Sequence, residues 1–115
     1  MTVSRSLPRR HFVFLTLPQY SFIALSSAIE ALRMANRVAG QETYRWSVAS
    51  MDGQGVAASN GLTLSPTVAI GDVPVADIVF VCGGVSVEQA AGPDVLAVLR
   101  RLDRHGVALG SLCTG

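Results

Sequence analysis

Residues 11–40, HFVFLTLPQYSFIALSSAIEALRMANRVAG, decide the fold. Their first seven residues are β-branched, aromatic or leucine, apart from His11, and a nearly continuous apolar run of this length suits a strand buried on both faces, as in a parallel sheet. Pro18 ends that strand. Ser21 stands where an N-cap would, and Phe22, Leu25, Ile29 and Leu32 then recur at helical spacing, with Ala28, Ala35 and Val38 widening the stripe before Gly40 stops it. Strand followed by helix makes one βα unit.

The same alternation continues outward. YRWSVASM (residues 44–51) predicts a second strand, and a stretch rich in Gly, Ala, Ser and Asn follows to about residue 60. GLTLSPTVAI (61–70) has the alternation of a short strand or hairpin arm. ADIVFVCGG (76–84) predicts a buried strand from about Asp77 to Cys82 that breaks at a double glycine. Gly92-Pro93-Asp94 opens a second helix, with proline in the first turn and an acid at the positive end of the dipole. Val95, Leu96, Leu99 and Leu102 form its apolar face, Arg100, Arg101 and Arg104 lie toward its C-terminal half, and Gly106 closes it. VALGSLC (107–113) is the last strand, expected at the centre of the sheet. Strands alternating with helices over short connections indicate an α/β fold with a mostly parallel sheet and right-handed crossovers.

Bulk properties narrow the function classes. A chain of 115 residues holds one domain at most, and with half its residues apolar and 15% charged it can bury a core. A net charge of +1 gives no global attraction to nucleic acid or to acidic membranes. Two cysteines, Cys82 and Cys113, neither make a disulfide framework nor show zinc-site spacing, so free thiols in a reducing cytoplasm are expected, with no metal and no cofactor. The uncharged run from Phe12 to Ile29 has the length of a membrane span, but Thr16, Pro18, Gln19, Ser21, Ser26 and Ser27 interrupt it, so no membrane role is expected. Residues 1–10, with Arg5, Arg9 and Arg10, are expected to be a flexible, solvated basic leader.

In open α/β sheets, sites form outside the carboxyl ends of the strands. Three features fall on that edge: Pro18 to Tyr20, Cys82-Gly83-Gly84 and Cys113-Thr114-Gly115. Ser111, Cys113 and Gly115 fit a strand-to-helix elbow in which flanking small residues let the backbone bend and lift a nucleophile above the sheet. A helix N-terminus after the elbow would lower the thiol pKa, and the glycine pair would bring a second N–H donor to an oxyanion. The alternative readings are an inert core thiol for Cys113 and a simple strand breaker for Gly83-Gly84; Cys82 itself reads as core. A nucleophilic cysteine also requires a base. His11 opens the first strand and His105 ends the second helix, so both belong to the opposite edge. Glu30 reads as a surface partner of Arg33 at i,i+3 spacing, or as a ligand or interface contact.

The order FVFLTLPQYSFIALSSAIEALRMANRVAG, YRWSVAS, NGLTL, ADIVFVCGG and LGSLCTG resembles the N-terminal sensor domain of GlxA-type regulators of the AraC family, within the PfpI and class I glutamine amidotransferase-like superfamily. The similarity runs from about Arg10 to the end. It implies a flavodoxin-like three-layer sandwich of which residues 11–115 are the N-terminal portion, incomplete at the C-terminus, with a DNA-binding helix-turn-helix pair absent from this chain. Enzymes of the superfamily place their elbow cysteine at the position of Cys113 and a glycine pair at Gly83-Gly84, and many carry an acid early in the first helix, where this chain has Ala24. The resemblance therefore implies a non-enzymatic, cytoplasmic, homodimeric regulator. Its effector would be a small nitrogen-containing metabolite, such as a betaine, carnitine or an amino acid, bound around Cys113, Thr114, Gly83, Gly84, Pro18 and Glu30. The alternative is a cysteine-dependent hydrolase or amidotransferase-like enzyme with Cys113 as nucleophile.

Overall fold

A computed structural model of the protein describes residues 9–73, 75–84, 87–113 and 115. Strand β1 (Arg10–Thr16) leads into helix α1 (Phe22–Ala39), and β2 (Tyr44–Ser50) follows. A two-residue strand, β3 (Val68–Ala69), runs into a 3-10 turn at Ile70–Asp72. Then come β4 (Ile78–Cys82), the single-turn α2 (Val87–Ala90), α3 (Pro93–Arg104) and β5 (Ala108–Leu112). The five strands form one parallel sheet in the order β3-β2-β1-β4-β5.

The register follows from burial on both faces of β1. Val13 and Leu15 pack with Ala49, Val79 and Ile70 on one face, against Val98, Leu99 and Leu102 of α3. On the other face Phe14 packs with Tyr20, Leu25 and Cys82, against Ala28, Ile29 and Leu32 of α1. The two helices thus cover opposite faces and complete three layers. Phe80 stacks between Phe12 and Phe14 at centroid distances of 6.1 and 5.7 Å. Gly110 makes room for it, since a Cβ there would lie 2.6 Å from the Phe80 ring.

Local chemistry sets the helix ends as expected. The Ser21 hydroxyl accepts from the Ala24 N–H, and Gly40 ends α1 at φ 71°, in the left-handed region that glycine adopts without cost. Asn36 then ties α1 to β2 through paired 2.9 Å bonds to the Tyr44 backbone. Among the described residues, no helix is long and apolar enough to cross a membrane.

Four expectations are corrected. Arg10 belongs to β1, opposite Tyr44, rather than to a leader, and residues 1–8 lie outside the described residues. Residues 61–70 form no continuous strand: Thr63 makes one antiparallel bridge to Ala57, and only Val68 and Ala69 pair with β2. Val38 and Leu96 leave the helical stripes, being 83% and 44% exposed. Finally, β1 rather than β5 is central, and β5 has β4 as its one neighbour among the described strands.

Candidate functional site

All five strands point the same way, so their carboxyl ends deliver three turns to one edge, and hydrogen bonds join those turns. The Leu17 N–H donates to the Cys82 carbonyl at 3.2 Å and the Ser21 N–H to the Gly83 carbonyl at 2.9 Å. Tyr20 and Gly84 form an isolated antiparallel bridge. The Gly83 N–H reaches the Leu112 carbonyl at 3.3 Å, and the Gly115 N–H reaches that same oxygen at 3.0 Å. Thr114, a candidate site residue, lies outside the described residues.

This close approach explains the glycines. A Cβ on Gly84 would sit 2.3 Å from the Gln19 carbonyl oxygen, and one on Gly83 would sit 2.6 Å from the Gly115 nitrogen. One on Gly115 would strike the Val81 carbonyl. Glycine is therefore required at the β4 turn and at Gly115 after the bend, where an elbow demands a small residue. Cys113 at its apex is exposed and adopts φ 58°, a left-handed conformation that costs a non-glycine residue about 1–2 kcal/mol. Gln19, in the neighbouring turn, is likewise left-handed at φ 68°. Two strained non-glycine residues on one rim fit the tendency of such strain to gather at functional sites.

Among the described residues, neither histidine lies on the Cys113 edge. The Gly83 amide, a donor of the glycine pair that the sequence offered to an oxyanion, is spent on the Leu112 carbonyl, and so is the Gly115 amide. His11 sits at the amino end of β1, 7% exposed, with its ring nitrogens bonded to the Val75 carbonyl and the Ser47 hydroxyl. The His105 ring bonds the Arg101 carbonyl at the far end of α3. The first turn of α1 contains no acidic residue; Ala24 is half-buried and its N–H is capped by Ser21. Glu30 is exposed and bound to Arg33 through two contacts of 2.7 and 2.9 Å, a hydrogen-bonded pairing that lowers its carboxyl pKa. No cluster of three metal-ligating side chains occurs among the described residues.

Cys82 is the core residue the sequence predicts: 1% exposed, with its thiol pushed up to about 12 by burial. Beside the rim, between α3 and β5, runs an apolar groove of about 550 Å³ lined by Leu17, Val81, Val95, Leu99, Leu109 and Gly115. Pro18 is exposed on the rim.

The sequence places Tyr20 on the edge as the end of the Pro18 turn but gives its side chain no role. It is 1% exposed, and its hydroxyl has no hydrogen-bond partner among the described residues. Burial, and then the nearby Cys82 thiol, raise its pKa. Only the position just before the N-cap hinted at a special role, and the burial of its hydroxyl is a tertiary outcome that local sequence does not encode.

Comparison with known proteins adds to this geometry. Residues 10–115 match the sequence profile of the DJ-1/PfpI family. The chain is 42% identical over 102 residues to the HTH-type transcriptional regulator GbdR of Pseudomonas aeruginosa (strain UCBPP-PA14), which covers 89% of this chain and 28% of that regulator. It is 42% identical over 104 residues to the HTH-type transcriptional regulator CdhR of Pseudomonas aeruginosa (strain PAO1), covering 90% of this chain and 31% of CdhR. The chain thus spans less than a third of the length of these relatives. A crystal structure of an AraC family transcriptional regulator from Pseudomonas putida superposes with a TM-score of 0.75 at 25% identity, covering 89% of this chain and 63% of that one.

Proposed function

The chain belongs to the DJ-1/PfpI family, and from that premise we propose that it is the effector-sensing portion of a transcriptional regulator. A small metabolite binds at the joined strand ends and biases the regulator between two states. The regulator names carried by GbdR, CdhR and the Pseudomonas putida protein support this reading. The observation that carries it is the fate of the rim amides. The Gly83 and Gly115 N–H groups close onto the Leu112 carbonyl, so those two donors are not free for an oxyanion, which favours a binding wall over a catalytic elbow.

In this proposal Pro18, Gly83, Gly84 and Cys113 contribute to the wall of the ligand site, with Thr114 beside them. Glu30 takes part only where a ligand displaces Arg33. The effector is a small nitrogen-containing metabolite of the betaine, carnitine or amino-acid class, and the regulator works as a cytoplasmic homodimer. DNA contact falls to a helix-turn-helix segment outside this chain.

One observation favours a second reading. Cys113 is exposed and left-handed at a sharp bend, the posture of a nucleophile, which leaves a thiol hydrolase as the rival. Thermal-shift titration with glycine betaine, carnitine and arginine separates the two. A saturable rise in melting temperature with one of them supports the sensor. No shift with any of the three, together with thiol-dependent turnover of an amide or aldehyde, would overturn it.

A further inference from the structure

Buried hydroxyls are nearly always hydrogen-bonded, so an orphan calls for an explanation. Tyr20 carries the one buried side-chain oxygen or nitrogen without a partner among the described residues. Its ring stacks on Phe22, the first residue of α1, at 6.5 Å, and packs with Phe14, Leu25, Ala58 and Cys82. Tyr20 thus packs beneath the rim already described, one residue before the N-cap Ser21 of α1.

One segment packed against Tyr20 is slight. Residues 57–63 form a small hairpin: Ala58 and Leu62 pair at 2.9 Å, Asn60 accepts from the Leu62 N–H, and Ala57 bridges Thr63. This strap is fastened to the Pro18–Tyr20 turn by two backbone bonds, Gln19 N–H to the Ala57 carbonyl at 3.0 Å and Ser59 N–H to the Tyr20 carbonyl at 2.9 Å. Ala58 is the strap residue buried in the cluster, while Leu62 is 57% exposed. Val56 and Leu64, just outside the strap, pack against the core and anchor its two ends. Lifting the strap about these ends costs its two bonds to the turn and the packing of Ala58, and it uncovers Tyr20.

We propose that the Tyr20 hydroxyl is a ligand-binding donor, covered in the ligand-free protein by the 57–63 strap, and that it receives the carboxylate of a small zwitterionic metabolite. The proposal rests on the sensor reading above and names one contact within it. An anionic group suits the position for a second reason. Ser21 caps the Ala24 N–H, the first turn of α1 holds no acidic residue, and the positive end of an 18-residue helix is left uncompensated there. A tyrosine O–H bonded to a carboxylate is a charge-assisted bond of the stronger kind. In the ligand-free state the same hydroxyl makes no bond that a phenylalanine would lose.

Tyr20→Phe tests this with two readouts on the same chain, thermal unfolding without ligand and isothermal titration with glycine betaine, carnitine and arginine. The expected result is a melting temperature equal to or above that of the wild type, together with a loss of about tenfold or more in affinity for whichever of the three the wild type binds. Equal affinity in the two proteins would overturn the proposal while leaving the sensor reading in place. A clear drop in the ligand-free melting temperature would show that the hydroxyl already has a structural partner, such as a buried water, and would also overturn it. Failure of the wild type to bind any of the three removes the sensor reading itself, and the proposal with it.

Discussion

Replacing Gly84 by alanine tests the claim that three turns are locked into one rim. The new Cβ would lie 2.3 Å from the Gln19 carbonyl oxygen, 3.0 Å from the Ser21 nitrogen and 3.1 Å from the Tyr20 carbonyl carbon. All three neighbours are backbone, so no side chain can swing aside. To reach ordinary contact the Pro18–Tyr20 turn must retreat by about 1 Å, an overpacking that costs about 1–3 kcal/mol. The turn is held by the Leu17 and Ser21 amide bonds to the β4 turn, and moving it sacrifices at least one of them, about 1 kcal/mol more. A total of about 3 kcal/mol corresponds to a fall of about 12 °C in melting temperature for a domain of this size. Two other glycines calibrate the result. Gly106→Ala meets nothing within 4 Å but must hold φ 79°, and should cost about 1 kcal/mol. Gly71→Ala meets nothing and has no such φ, so it should be neutral or stabilise by about 0.5 kcal/mol. Thermal circular dichroism on the three variants reads the order directly. A Gly84→Ala protein melting within about 2 °C of wild type would refute the rim geometry.

Other consequences can be measured on the same protein. With a thiol reagent at pH 8, one cysteine, the exposed Cys113, should react in the native state, and Cys82 only on unfolding. The alkaline limb of stability follows from the same burial. The Cys82 thiol ionises near 9 when unfolded and at about 12 when folded, so the unfolded chain loses its proton first and stability falls as pH rises between those values. The slope is up to about 1.4 kcal/mol per pH unit, Tyr20 adds to it in the same sense, and Cys82→Ala should flatten it in denaturant titrations across that range. Gly61→Ala strains the left-handed tip of the strap, at φ 85°, and should raise the effector association rate about fivefold in stopped flow if closed strap and bound ligand compete. Glu30→Ala should leave the melting temperature unchanged within error, because its partner is an exposed arginine.

The parts of the fold that were legible in the sequence are those where local pattern and tertiary role agree. β1, β2 and β4 are apolar runs ended by Pro18, by the glycine-rich stretch after Met51 and by Gly83, and they pair over those residues. α1 begins at a capping serine and ends at a glycine, both of which act as predicted. The convergence of three turns on one edge was also readable, since a parallel sheet places all carboxyl ends together. What escaped the reading depends on neighbours. β3 exists because the free edge of β2 accepts two residues, and nothing in the local pattern of Val68 and Ala69 marks them. The Gly83 amide is a free donor by sequence, and only the fold shows it, with the Gly115 amide, committed to Leu112. The burial of the Tyr20 hydroxyl needs Ala58, 38 positions away, to be packed near it.

The central claim is that Cys113 belongs to the wall of a binding site and not to a catalytic apparatus. Calorimetric titration of Cys113→Ala with the effector that shifts the wild type tests it most directly. The account predicts saturable binding within a few-fold of the wild type and no product formed by either protein. Turnover by the wild type that disappears in Cys113→Ala would contradict it.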